Sequence, residues 1–331
     1  MAKKVVTFGE IMLRLSPKGH DRFVQAQNFD AFYGGGEANV AVALSNFGYD
    51  AYFVTKLPEH EIGQAAINSL RQFGVKTDYI KRGGDRIGLY YSENGVSLRP
   101  SKVIYDRKNS SISQAKVEDF DFDEIFKETD IFHISGITPA LSKNCQEITL
   151  EAMKKAKENN VFISFDLNYR SKLWTLDQAL EFYEKTNKYV DLCIGVIPQI
   201  HKSYKGEFNK ESLEIMFKET YQRTGIKIIC STIRESFSAS KNRLSAGIYS
   251  GDKAYFTKAI DIEVAERIGG GDSFTSGLLT GLLDGKNQKE ALDFAVATSA
   301  IKHTIKGDVN LASREEIEKL VGGDTSGKVQ R

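Results

Sequence analysis

Apolar and polar positions alternate between two periods along the chain. Val5–Phe8 is a short apolar run of the kind that forms a buried strand, and Glu37–Phe47 carries the 3.6-residue spacing of a helix. The same alternation continues with Ala51–Thr55 as strand and Glu61–Phe73 as helix. Ile131–Ile134 (strand) precedes Ser142–Asn159 (helix, with Ser142 as N-cap), and Val161–Phe165 (strand) precedes Leu176–Tyr189 (helix). Leu192–Val196 (strand), Lys210–Thr224 (helix) and Ile226–Cys230 (strand) follow. Strands separated by helices of ten or more residues predict βαβ units and a mostly parallel sheet covered on both faces. Two regions break the rhythm. Leu13–Tyr33 holds short extended pieces, and Arg86–Tyr105 reads as strands Ile87–Ser92 and Val96–Tyr105 around Glu93-Asn94-Gly95. Together they predict a small antiparallel sheet laid over one edge as a lid, or plain surface hairpins. Ser236–Thr257 is a further meander within the main sheet. The chain then turns helical over Asp272–Leu283, Gln288–Thr304 and Ser313–Leu320, and ends in a polar, glycine-rich tail from Gly322.

Composition narrows the class. The chain has 331 residues, enough for one large domain or two modest ones. A single α/β domain over residues 1–320 is expected, with lid strands from about 11–33 and 86–107 and a disordered tail over 321–331. A net charge of +1 argues against a broad nucleic-acid surface. No apolar run approaches the ~20 residues of a membrane span, and the first residues lack a signal-peptide apolar core, so a cytoplasmic protein is expected. Cys145, Cys193 and Cys230 fit no zinc or disulfide spacing and are expected as buried thiols.

Two glycine triplets carry the chemistry. Gly269-Gly270-Gly271-Asp272 leads into the small-residue helical run Phe274–Leu283. Three glycines before a helix let backbone N–H groups converge on one point, and the helix N-terminus adds positive potential there, which suits an anion. Asp272 reads either as an N-cap or as a carboxylate that takes a proton from an attacking hydroxyl beside the anion hole. No GxxxxGK[ST] pattern occurs in the chain. Gly34-Gly35-Gly36 precedes a second helix, where Asn39 either reaches a ligand hydroxyl or faces solvent.

The two motifs, in this order and at this separation, resemble those of the ribokinase-like (PfkB) carbohydrate kinases. The similarity extends to the branch acting on 2-keto-3-deoxygluconate, through Phe8-Gly9-Glu10, Tyr105-Asp106-Arg107, Asp166-Leu167-Asn168-Tyr169-Arg170 and Gly307-Asp308-Val309-Asn310. The resemblance implies an α/β three-layer αβα sandwich with a mostly parallel sheet and a β lid. It implies ATP-dependent phosphorylation of the terminal 6-hydroxyl of the sugar acid, with Mg²⁺. Asp272 would be the base, the amides of Gly269, Gly270 and Gly271 the anion hole, and Gly34, Gly35, Asn39, Tyr90, Tyr105, Arg107, Arg170 and Asp308 the sugar pocket. Nucleotide contacts would fall on Ser231, Thr232, Arg234, Gly269, Gly271, Ala297, Ser299 and Ala300. A homo-oligomer formed through the lid is also implied.

The residues themselves agree with an acidic substrate, since Arg107 and Arg170 present forks suited to a carboxylate. Alternatives stay open: Arg107 as a solvated lid charge, Arg170 as partner of Asp166, and Ala297 and Ala300 as tight helix packing. His303 reads as a structural histidine. Where the family carries Asn-x-x-Glu to organise Mg²⁺, Val196 and Gln199 stand, and Arg267-Ile268 before the glycines is a smaller departure. Competing functions are a fructokinase or other sugar kinase, and a catalytically weak sugar sensor. An oxidoreductase is disfavoured because Val5–Phe8 is not followed by a dinucleotide fingerprint and helix.

Overall fold

The structure is a computed structural model that describes residues 2–201, 206, 208–251 and 253–325. Among these residues the strands are β1 (Lys4–Phe8), β2 (Met12–Pro17), β3 (Phe29–Gly34), β4 (Asp50–Leu57), β5 (Ile80–Arg82), β6 (Gly88–Glu93), β7 (Lys102–Asp106), β8 (Ile131–Ser135), β9 (Phe162–Asp166), β10 (Leu192–Ile194), β11 (Ile228–Ser236), β12 (Lys241–Ser250), β13 (Lys253–Phe256) and β14 (Ile260–Glu263). The helices are α1 (Gly36–Asn46), α2 (Glu61–Arg71), α3 (Phe122–Ile125), α4 (Ile137–Ala140), α5 (Lys143–Glu158), α6 (Leu176–Thr186), α7 (Lys210–Thr224), α8 (Gly270–Leu283), α9 (Gln288–Lys302) and α10 (Arg314–Val321). Helix starts follow local chemistry. Ser142 caps α5 through the amide of Cys145, and Thr175 with Gln178 and Asn287 with Glu290 form capping boxes at α6 and α9.

The main sheet runs in the order β13-β12-β11-β10-β9-β8-β1-β4-β5, with β14 also on β12. Ladders from β11 through β5 are parallel, and β12 pairs antiparallel with β11, β13 and β14. Alternate residues feed opposite faces: Val5 packs with α1, α2, α8 and α9, whereas Val6 and Phe8 pack with α5, α6 and α7. That is the expected three-layer arrangement, and it places the carboxyl ends of the strands beside the starts of α1 and α8. The second sheet has the order β3-β2-β6-β7. Its β2–β3 and β6–β7 ladders are antiparallel, and β2–β6 is parallel because the main-sheet segment between them returns the chain in the same direction.

Local departures have local causes. Strand β10 ends at Ile194 because Gly195 adopts φ 90°. The second lid strand begins at Lys102, not Val96, because Ser97 turns at φ 53° and Pro100 offers no N–H to a ladder. Helix α6 stops at Thr186 and a 3₁₀ turn carries Asn187–Tyr189. Cys145, Cys193 and Cys230 are buried free thiols. Of the tail expected to be disordered, residues 326–331 lie outside the described residues. Among the described residues no helix is long and apolar enough to cross a membrane.

Helices α8 and α9 meet through glycine. A Cβ on Gly277 would lie 2.6 Å from Thr298 Oγ1 and 2.8 Å from Ala295 Cα. Gly277→Val should therefore push the two helices apart and cost about 1–3 kcal/mol, read as a lower urea midpoint at unchanged m-value.

Candidate active site

The Gly269–Gly271 turn is shaped by its neighbours. Gly269 has φ +82°, and a Cβ there would sit 1.9 Å from the carbonyl oxygen of Asp308. On Gly270 it would strike the His303 ring at 2.4 Å, whereas on Gly271 it would meet nothing within 4 Å. Two glycines are thus required by packing, and the third opens to the cleft. Ser299 donates to the Gly270 carbonyl at 2.8 Å and Ser273 to that of Gly269 at 2.7 Å. The amides of Arg267 and Ile268 are taken by Glu266 Oε1, at 3.0 and 3.2 Å. Those of Gly270, Gly271 and Asp272 start α8 without an intrahelical acceptor. With the amide of the N-cap Gly269, they are the donors an incoming anion would meet.

Asp272 sits between two helix starts. Asn39 Nδ2 donates to its Oδ2 at 2.7 Å, and a Cβ on Gly36 would lie 3.6 Å from its Oδ1. Burial pushes the Asp272 carboxyl up to about 6, against the opposing effects of the Asn39 bond and Arg170. Asp166, at the end of β9, is pushed up to about 7 by burial and by the negative charge of Asp272, with Arg170 opposing. Arg170 lies exposed beside both carboxylates and, among the described residues, its guanidinium donates to no side chain. The orientation of α1 is set by Glu37, whose buried Oε1 accepts from Ser135 N, Ser135 Oγ and Thr138 Oγ1 at 2.9, 2.8 and 2.8 Å.

The lid joins this centre through charge. Tyr90, on β6, donates to Asp308 Oδ2 at 2.7 Å and stacks on the half-exposed Tyr105 at a centroid distance of 5.8 Å. Asp308 Oδ1 accepts from Arg14 at 2.5 Å, and Arg14 also reaches Glu266 at 2.6 Å and Ser16 at 2.7 Å. A Cβ on Gly34 would strike Asp308 Oδ2 at 2.1 Å, and one on Gly35 the Glu10 carbonyl at 1.9 Å. Asp308, expected to face the sugar, is therefore committed to Arg14 and Tyr90. Arg107, expected to bind the substrate carboxylate, donates through Nε and Nη2 to Glu10 Oε2, the Nε bond being 2.7 Å, while Glu10 Oε1 accepts from Ser110 at 2.5 Å. Arg170 is the expected arginine that stays free.

Arg14, Glu10, Glu266, Asp166 and Lys302 were not among the site residues expected from sequence. Glu10 and Asp166 lie in stretches that carried the resemblance, and the buried pattern held a signal for Arg14 and Lys302. Arg14 alternates with Met12 and Ser16 on the buried face of β2, and Lys302 falls on the apolar face of α9. A charge at an inward position is the pattern to look for.

Of the residues expected to contact the nucleotide, Ser231 is buried and Thr232 and Arg234 are exposed at the end of the parallel part of the sheet. The charge of Arg234 opposes that of Arg267, whose fork is held by the carbonyls of Ser238 and Ala239. A cavity of about 780 Å³ lies among Thr257, Ile260, Val296, Ala297 and Gly322. Ala297 lines it, two residues before Ser299 on the same helix; Ala300 is buried in the core. Val196 packs against the core and Gln199 is exposed. Among the described residues no group of three His, Cys, Asp or Glu side chains can hold a metal ion. The donors fit a hydrated Mg²⁺ carried by the nucleotide, whose waters Asp166 can accept from, better than a resident ion.

Removing the Arg14 fork would leave Asp308 and Glu266 buried without their cation. Arg14→Met is expected to destabilise the fold by about 3–5 kcal/mol, measured by chemical denaturation.

Comparison with known proteins places this geometry. The model of the "pfkB family carbohydrate kinase" matches residues 2–314. The crystal structure of 2-dehydro-3-deoxygluconokinase from Thermotoga maritima is 47% identical, with a TM-score of 0.94 over 97% of this chain and 100% of that one. A 2-dehydro-3-deoxygalactonokinase of Haloferax volcanii is 31% identical over 99% of both chains. A 2-dehydro-3-deoxygluconokinase of Bacillus subtilis is 27% identical over 97% of this chain and 96% of its own length. With two glycine-built helix starts around one carboxylate and a family match over nearly its whole length, the chain belongs to the pfkB family of carbohydrate kinases.

Proposed function

We propose that the enzyme transfers the γ-phosphoryl group of ATP to the terminal 6-hydroxyl of a sugar acid of the 2-keto-3-deoxygluconate class. The carrying observation is Asp272, held by Asn39 and set between the starts of α1 and α8 with its proton affinity raised into the neutral range. In the proposed reaction the hydroxyl proton passes to Asp272, the hydroxyl oxygen bonds to the γ-phosphorus, and the bond from that phosphorus to the bridging oxygen of ADP breaks. The amides of Gly269, Gly270 and Gly271 receive the charge developing on the phosphoryl oxygens. Mg²⁺, when bound with ATP, supplies charge neutralisation for the phosphates.

In this reading Gly34, Gly35, Asn39, Tyr90 and Tyr105 line the sugar side, and Arg170 meets the substrate carboxylate. Asp308 and Arg107 shape the pocket through Tyr90 and Glu10. Ser231, Thr232 and Arg234 face the phosphates, and the adenine enters the cavity bordered by Ala297. The names of the relatives support a sugar-acid substrate. The chain acts as one α/β domain whose lid also serves as the contact between copies. One observation favours a second reading, a kinase of neutral sugars: the Arg107 fork is already neutralised by Glu10, leaving a single free arginine.

An ADP-release assay over a panel of sugar acids and neutral hexoses should show preference for the acid. Arg170→Ala should raise KM for the acid far more than for a neutral sugar; equal effects would favour the second reading. Asp272→Asn should lower kcat roughly 10²–10⁴-fold with sugar affinity retained. Because the base works deprotonated and burial pushes its carboxyl up to about 6, kcat should fall as pH drops through that value.

A further inference from the structure

Lys302 is a charged side chain that the reaction above does not use. It closes α9 and is 0% exposed. Its Nζ donates to the carbonyl oxygens of Ile305 and Gly307 at 3.0 and 2.9 Å. Among the described residues no carboxylate lies within ion-pair distance of it. A buried ammonium is costly unless paired, and an apolar side chain of similar length would fill the same space without that cost. The position of the charge is therefore the feature that needs explaining.

That position is directly under the anion hole. Lys302 Cε lies 3.2 Å from where a Cβ on Gly269 would be. The loop it clamps turns at Gly307, with φ +89°, and delivers the Asp308 carbonyl against Gly269. The charged groups facing Lys302 are Glu266, Asp308, Arg14 and Asp272, with His303 next to it in sequence. Three of those are carboxylates and Arg14 is the one permanent cation. Without Lys302 the region would present a surplus of negative charge to a group that arrives as a polyanion and gains charge on its oxygens during transfer.

We propose that Lys302 is a positioning residue for phosphoryl transfer, clamping the 305–308 loop against Gly269 and holding a fixed positive charge beneath the glycine amides. The proposal rests on reading those amides as the anion hole. Burial lowers the proton affinity of Lys302 to about 8, so the charge is lost as pH rises through that value. The unfolded chain keeps the same proton up to the ordinary lysine range. Over that interval loss of the proton at this site adds to folding stability as pH rises, so a loss of activity there is not unfolding at this group.

The test compares wild type, Lys302→Met, Lys302→Ala and Asp272→Asn in ADP release, with sugar affinity by calorimetry and folding by circular dichroism. Folded Lys302→Met should keep its sugar affinity and lose kcat roughly 100-fold. Ammonium or methylammonium should restore a tenfold or larger part of kcat to Lys302→Ala, and the bulkier tetramethylammonium should not. Wild-type kcat should fall as pH rises through about 8 with sugar affinity unchanged, an arm that needs no variant to fold. Wild-type kcat in Lys302→Met overturns the proposal. So does an unrescued loss that tracks a fall in melting temperature, and so does a wild-type kcat that stays flat to alkaline pH. An inactive wild type would instead remove the kinase reading on which the proposal stands, and an active wild type with inactive Asp272→Asn and active Lys302→Met removes this proposal alone.

Discussion

The Arg14 guanidinium, almost wholly withdrawn from water, bonds to two carboxylates and a hydroxyl at once. Much of the rest of the structure hangs from it. Arg14 belongs to the lid sheet, whereas Glu266 and Asp308 flank the glycine turn and the loop after α9. Glu266 uses its other oxygen to hold the amides that lead into the turn, and Asp308 presses its carbonyl on Gly269 and its carboxylate on Gly34. One cation thereby fixes the spacing between the lid, both glycine motifs and the anion hole. Taking such groups out of water is unfavourable in itself, so the arrangement persists only because nearly every donor and acceptor in it is matched.

A second constraint is electrostatic. Asp272 and Asp166 repel one another, and both are less ready to ionise than an exposed aspartate. Asn39 and Arg170 limit that effect without abolishing it. The outcome suits a base, because a carboxyl that holds its proton near neutrality accepts one from a hydroxyl more readily than an ordinary aspartate does. The same crowding of negative charge accounts for Arg170, whose guanidinium lies beside both carboxylates and, among the described residues, donates to no side chain.

Much of this was legible in the chain. The strand and helix rhythm announced a parallel sheet because buried strands and amphipathic helices have different periods. The two glycine-built helix starts were legible because three glycines before a helical run mark a tight turn, whereas the bond from Asn39 to Asp272 was not, since 233 residues separate them. The lid strands were found as well, yet the parallel β2–β6 ladder was not, since pairing direction depends on the route the chain takes between them. The bond from Arg107 to Glu10 was not legible, because Glu10 lies 97 residues earlier. Lys302 passed as one more helix residue, although its place on the apolar face was a warning.

By itself the sequence determined the alternation of elements, the two glycine-built helix starts and the carboxylate at one of them. These depend on neighbours within a few residues, where backbone sterics and side-chain period act directly. Tertiary structure alone decided which charges neutralise each other and which face the cleft. Arg14 and Asp308 are 294 residues apart, and no local rule connects them. Whether an arginine meets a substrate or a buried carboxylate is settled by the packing of distant segments, because the energy of a charge depends on everything that surrounds it in space and on the water it has lost.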